Sequence, residues 1–355
     1  MRKKKSIQRI RKIMAATTRF LLFFMVLGLC ACQNNPGSKE HIGTTGKDGN
    51  DGKITIVTTI FPEYDWVKEI LGDRAENADI TMLFDHGVDL HSYQPTTEDI
   101  LTIVNSDVFI YVGGESDDWV EDILKESMHP DQKVVNLMET LGDFVKEEEV
   151  PQGTQQEEPG LQEDEKAQSS PEPDEEAEYD EHVWLSLRNA KILVTAIQTA
   201  ISETDPAHKE EYEENAKAYN EKLAQLDEEY NKAVQDGNQK AILFGDRFPF
   251  RYLADDYDLD YYAAFAGCSA EVEATFETIV TLSGKVDELG LGTILTMENS
   301  DQKIAHTIKE NTKTKDQKIA VLDSMQGTTS EDVKAGVTYY NVMKENLDVL
   351  KNALT

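Results

Sequence analysis

The chain has 355 residues, 68 Asp and Glu against 35 Lys and Arg, a formal net charge of −33, 39% hydrophobic residues and three cysteines. That is enough chain for two lobes with real cores. A balance this acidic argues against nucleic acid or an anionic membrane surface as a partner, because both would repel it.

The charge is unevenly placed: eight basic residues precede residue 20 and no acid occurs before Glu40. MRKKKSIQRIRKIM followed by the apolar run FLLFFMVLGL has the layout of an export signal, and the apolar run is too short for a stable membrane span. It ends in Leu29-Cys30-Ala31-Cys32. Small Ala31 immediately before Cys32 resembles a bacterial lipobox, which makes Cys32 the expected lipidation site; Cys30, after Leu29, fits less well. Residues 1–31 are therefore expected to be a lipoprotein signal peptide, and the polar, Gly-rich residues 32–52 a tether. With Cys32 acylated, Cys268 would be the remaining free thiol and no internal disulfide could form.

From residue 53 the pattern alternates. Ile54 to Ile60 is rich in β-branched residues and reads as a buried strand. Pro62 opens a helix with Tyr64, Val67, Ile70 and Leu71 on one face. ADITMLF reads as a second strand running into DHGVDLHSYQP, Thr96 to Asp99 as a helix start, SDVFIYVGG as a third strand and DWVEDILKES as another helix. Residues 147–181 break the rhythm with fifteen acids, one Lys and almost no aliphatics, the composition of a disordered insertion. Order resumes at EHVWLSLRNAKILVTAI. Asp205-Pro206 signals another helix start, after which Tyr212, Ala216, Tyr219, Leu223, Leu226, Tyr230 and Val234 follow at spacings of three and four. That is one apolar stripe on a helix of roughly 30 residues, on the order of 45 Å long. A second alternating run follows, with strands in KAILFGD, DYYAAFAG, TILTMEN and KIAVLD, helices between them and a closing helix in VTYYNVMKENLDVLKNAL. The fold class is α/β: two αβ lobes with mainly parallel sheets, joined by one long helix. The lobes are expected at 53–186, which includes the 147–181 insertion, and at 239–355, with connecting helices over 187–238.

Of the seven histidines, His41, His129, His208 and His306 have surface settings. His91 and His182 stand apart, since each sits where a strand or the acidic stretch gives way to helix, and loops at the carboxyl ends of parallel strands are where such sheets bind ligands. His86 lies close enough to His91 to support it from behind. Cys268, in AAFAGCSAE, reads first as a small buried hydrophobe and second as a soft ligand or nucleophile. The chain has no Gly-rich phosphate loop, no His-Glu-x-x-His helix and no Gly-x-Ser-x-Gly elbow. A zinc hydrolase would need an open metal position and a general base, for which Glu181 beside His182 is the one tempting residue.

IVTTIFPEYDWVKEILGD, GVDLHSYQPTTEDI, SDVFIYVGGESDDWVEDIL, EHVWLSLRNA and TYYNVMKENLDVLKNAL resemble, in order and across nearly all of residues 53–353, the zinc/manganese-type solute-binding lipoproteins of bacterial metal ABC importers. The resemblance implies a rigid connecting helix and one divalent metal, zinc favoured and manganese possible, held in the cleft between the lobes. It also implies an extracytoplasmic, lipid-anchored monomer that hands the metal to a membrane ABC permease and catalyses nothing. Its first two ligands fall on His91 and His182. Where many members carry a His shortly before Phe-x-Tyr, this chain has Gly245-Asp246-Arg247-Phe248-Pro249-Phe250-Arg251-Tyr252; Asp246 is the nearest competent donor, since Arg247 would repel a cation. Asp323 matches the place of the last, carboxylate ligand, with Glu298 and Cys268 in reserve. Two imidazoles with two carboxylates form a borderline set, in which imidazole suits zinc while the added oxygens shift preference toward manganese or iron. The alternative is the same fold with a drifted site, binding manganese or iron or serving as a surface adhesin.

Overall fold

In a computed structural model of the protein, the described residues are 53–85, 87, 90–125, 130–149, 151, 178–269 and 273–355. The expected signal peptide, Cys32, the tether, His86 and residues 152–177 of the insertion lie outside them. Among the described residues no helix is long and apolar enough to cross a membrane.

Two four-stranded sheets form the lobes, and every strand pairing in them is parallel. The first contains β1 (Thr55–Thr58), β2 (Asp79–Met82), β3 (Val108–Tyr111) and β4 (Lys133–Asn136) in the order β2-β1-β3-β4. The second contains β5 (Ala241–Phe248), β6 (Asp260–Ala266), β7 (Thr293–Thr296) and β8 (Lys318–Val321) in the order β6-β5-β7-β8. Both lobes thus repeat one winding, with the lobe's first strand inside and its second at the edge. Helices α1 (Phe61–Leu71), α2 (Thr97–Asn105), α3 (Trp119–Lys125) and α4 (Leu137–Leu141) accompany the first sheet. Helices α5 (Leu187–Thr204) and α6 (Lys209–Asp236) follow, and then α7 (Arg251–Asp256), α8 (Phe276–Leu289), α9 (Lys303–Asn311), α10 (Ser330–Lys334) and α11 (Tyr339–Ala353).

Local chemistry explains most boundaries. Thr96 and Asp99 exchange side-chain and backbone hydrogen bonds across the first turn of α2, as a capping box does. Gly290 closes α8 in the left-handed region at φ 68°. At α6 the start differs from expectation. Pro206–His208 forms a separate 3-10 turn, and the Asp205 carboxylate accepts from Tyr212 Oη and faces His208 Nδ1, both at 2.7 Å, instead of capping backbone N–H groups.

The 28-residue α6 buries the seven residues of its predicted stripe. They belong to one hydrophobic cluster that runs from Ile56 in the first sheet through α5 and α6 to Leu295, Leu347 and Leu354. The last helix packs back on α1. Tyr339 N–H donates to Asp65 Oδ2 at 2.9 Å, and the Tyr339 ring meets Trp66 edge-on with centroids 5.1 Å apart. Its hydroxyl donates to the carbonyl of Trp184 at 2.7 Å.

Candidate metal centre

The loops that follow β2, β3 and β6 converge with the segment preceding α5. His91 sits on a 3-10 turn, Leu90–Ser92, pinned by buried Leu90. His182 is fully buried and precedes a second 3-10 turn, Val183–Leu185, whose Trp184 side chain is likewise wholly covered. The Trp184 indole N–H donates to the carbonyl of Ser324 at 2.9 Å, which ties the His182 segment to the loop after β8 in the other lobe.

The two imidazoles face each other with their Nε2 atoms 3.4 Å apart. Each is oriented from behind through Nδ1. His182 Nδ1 lies 2.9 Å from Asp180 Oδ1, which also accepts the His182 backbone N–H at 2.9 Å. His91 Nδ1 lies 3.3 Å from Glu181 Oε2 and 2.9 Å from Ser116 Oγ. A carboxylate on Nδ1 favours the tautomer that carries its proton there and leaves the Nε2 lone pair free for a cation. Two zinc–nitrogen bonds of about 2.0–2.1 Å at a tetrahedral angle hold their donors roughly 3.3–3.4 Å apart, which is the separation found here. The donor pair therefore fits a small divalent ion.

Glu181 is itself held. Its Oε1 accepts the Ser116 N–H at 2.8 Å. Burial acts to raise its carboxyl, but the contacts from His91 and Ser116 outweigh that and hold it below the usual range. Gly114, at φ 85°, makes room for it: a Cβ there would lie 2.7 Å from the Glu181 Cγ. Behind it, burial and then the charge of Glu181 push Asp117 up to about 7 despite a hydrogen bond from Gly113 N–H at 2.9 Å.

From the C-terminal lobe the residue brought to the imidazoles is Cys268, two positions after β6. One ligand atom each from His91, His182 and Cys268 lie within 4.8 Å of one another, and neither Asp246 nor Asp323 belongs to this group. Asp246 stands at an irregularity in β5, where pairing with β6 shifts between Phe244 and Arg247. Its carboxylate accepts from the backbone N–H of Arg247 at 2.9 Å and of Met297 at 3.3 Å. Arg247 reaches the carbonyl of Ser269 at 3.4 Å. Asp323 follows β8, accepts from Met325 N–H at 2.7 Å, and is pushed up to about 7 by burial and then by the charge of Glu298. Glu298 gathers the next loop, accepting from Ser324 N–H at 2.7 Å and Gln326 N–H at 3.1 Å.

Two contributors were not singled out from sequence, Asp180 and Ser116. Asp180 had a local signal, because a carboxylate two residues before a histidine can reach its ring. Ser116 had none, since its contact to His91 depends on two loops meeting.

The match to known proteins follows the same outline. The family model described as the zinc-uptake complex component A, periplasmic, matches residues 56–353, and the chain belongs to that family. It is 33% identical over 301 residues to the zinc-binding lipoprotein AdcA of Streptococcus pneumoniae, a match covering 85% of this chain and 56% of that protein. The chain thus spans little more than half the length of such relatives. It is 28% identical over 331 residues to the high-affinity zinc uptake system protein ZnuA of Bacillus subtilis, covering 93% of this chain and 94% of that one. The crystal structure of the Zn(II)-bound ZnuA-like domain of S. pneumoniae AdcA superposes with a TM-score of 0.65 at 30% identity, covering 85% of this chain and 99% of that domain.

Proposed function

We propose that this chain is the extracytoplasmic receptor of a bacterial ABC importer, capturing one divalent transition metal, zinc before manganese, and delivering it to a membrane permease without chemical turnover. The observation that carries this is the pair of Nε2 atoms at 3.4 Å, each on a ring whose Nδ1 faces a carboxylate. His91 and His182 are the primary ligands, and imidazole nitrogen favours zinc over the oxygen-preferring ions. Of the two carboxylates expected from the C-terminal lobe, Asp323 is the better donor. Burial and Glu298 raise its carboxyl, and a bound cation would relieve that repulsion. Asp246 already accepts two backbone N–H groups and is the weaker choice. Glu181 acts by orienting His91, not as a general base. Membership of a zinc-uptake family supports the transport role, and the naming of a relative as a lipoprotein supports anchoring through Cys32.

The test is elemental analysis of the purified protein, followed by thermal unfolding of stripped protein with zinc, manganese or iron added. A ligand confined to the folded state stabilises it by about 4 kcal/mol at a thousandfold excess over Kd. One equivalent of zinc and a large zinc-selective shift are expected. No bound metal and no shift with any of the three would overturn the proposal.

A further inference from the structure

We infer that Cys268 is the third ligand, so that the site is a mixed imidazole–thiolate centre; the inference rests on the metal-capture function proposed above and assigns a donor to that same site. Among the described residues, no histidine of the C-terminal lobe joins His91 and His182. Asp246 faces backbone N–H groups, and Arg247 is directed at the Ser269 carbonyl. What reaches the two rings from that lobe is the Cys268 sulfur, in the group whose ligand atoms all lie within 4.8 Å of one another. A tetrahedral ion with zinc–nitrogen bonds of about 2.0–2.1 Å and a zinc–sulfur bond of about 2.3 Å sets sulfur roughly 3.6 Å from each nitrogen. A loop movement of about 1 Å is therefore enough to complete the triangle.

The loop is built for that approach. A Cβ on Gly267 would lie 2.9 Å from the Phe248 carbonyl oxygen and 3.2 Å from His182 Cε1. Glycine thus lets the backbone pass against the ring and deliver the next side chain. The Cys268 N–H donates to Glu148 Oε1 at 3.2 Å, which anchors the loop across the lobe boundary. Cys268 is in no disulfide. On binding, the S–H bond is broken, the sulfur lone pair forms the metal–sulfur bond, and the proton leaves to solvent. A thiolate beside two imidazoles biases the centre toward zinc and cadmium and away from manganese.

Cobalt(II) serves as the probe, because a thiolate bound to it gives a near-ultraviolet charge-transfer band that nitrogen and oxygen donors do not. The whole chain loaded with one equivalent of cobalt should show the band. Cys268→Ser should bind cobalt without it, and zinc competition should find the variant weaker by about 10-fold or more. Peptide mapping after iodoacetamide should find Cys268 alkylated in stripped protein and protected by zinc. One equivalent of cobalt bound without the band, or a band that persists in Cys268→Ser, would overturn thiolate ligation while leaving metal capture standing. Failure of the parent protein to bind either metal would overturn both.

Discussion

His91 and His182 are 91 positions apart in sequence, yet their Nε2 atoms meet at 3.4 Å, a spacing that suits one tetrahedral ion and two neutral imidazoles. His91→Ala and His182→Ala should each weaken zinc binding by about 100-fold or more, close to 2.7 kcal/mol. Competition against a chromophoric chelator measures this directly. Unchanged affinity in both variants would remove the pair from the site.

Orientation should matter almost as much as ligation. Asp180→Asn and Glu181→Gln keep shape but weaken the hold on Nδ1 of His182 and His91 respectively. Each is expected to reduce zinc affinity by about 10- to 100-fold, the range seen when a carboxylate behind a ligating histidine is lost. Near-parent unfolding midpoints in stripped protein would separate this effect from general damage.

Two glycines with positive φ make a matched comparison. Gly114, at φ 85°, has Glu181 against the place a Cβ would occupy, whereas Gly142, at φ 52°, has nothing within 4 Å. Gly142→Ala should cost only left-handed strain, about 1 kcal/mol, and leave zinc affinity alone. Gly114→Ala should cost more and also weaken zinc, because Glu181 must move. Equal effects on zinc affinity would contradict the role given to Glu181.

Stability should fall as the pH rises from acid toward about 8. Burial pushes Glu63 from 4.5 up to about 8, and Asp65 and Asp117 from 3.8 up to about 7. Between the lower and upper values the folded chain keeps protons that the unfolded chain has released, so stability declines with rising pH over roughly pH 4 to 8 and then levels. Glu63→Gln should flatten that slope and raise the urea midpoint above pH 8. An unaltered slope would show that Glu63 is ionised in the folded protein.

Periodicity made most of the architecture legible. The seven residues spaced by three and four from Tyr212 to Val234 are the buried residues of α6, since burial of a helix face writes itself directly into spacing. β4 is not legible in the sequence, because Lys133-Val134-Val135-Asn136 is too short and too mixed to signal a strand, with Val134 exposed and Val135 buried. The meeting of Cys268 with His91 and His182 was harder still. Whether a cysteine is a core filler or a metal donor depends on which loop faces it, and nothing within AAFAGCSAE records that. Asp246 looked available because it stands late in a strand, but the irregularity in β5 turns it onto backbone N–H groups.

The contacts of Tyr339 bear on the order in which the fold can be assembled. Its ring and backbone dock on Trp66 and Asp65 in α1, and its hydroxyl supports the carbonyl of Trp184, two residues past His182. A nascent chain lacking its final helix would leave that N-terminal surface uncovered and the His182 segment without its prop. Completion of the His182 side of the pocket therefore waits for the final helix to dock, so the paired imidazoles are a late product of folding.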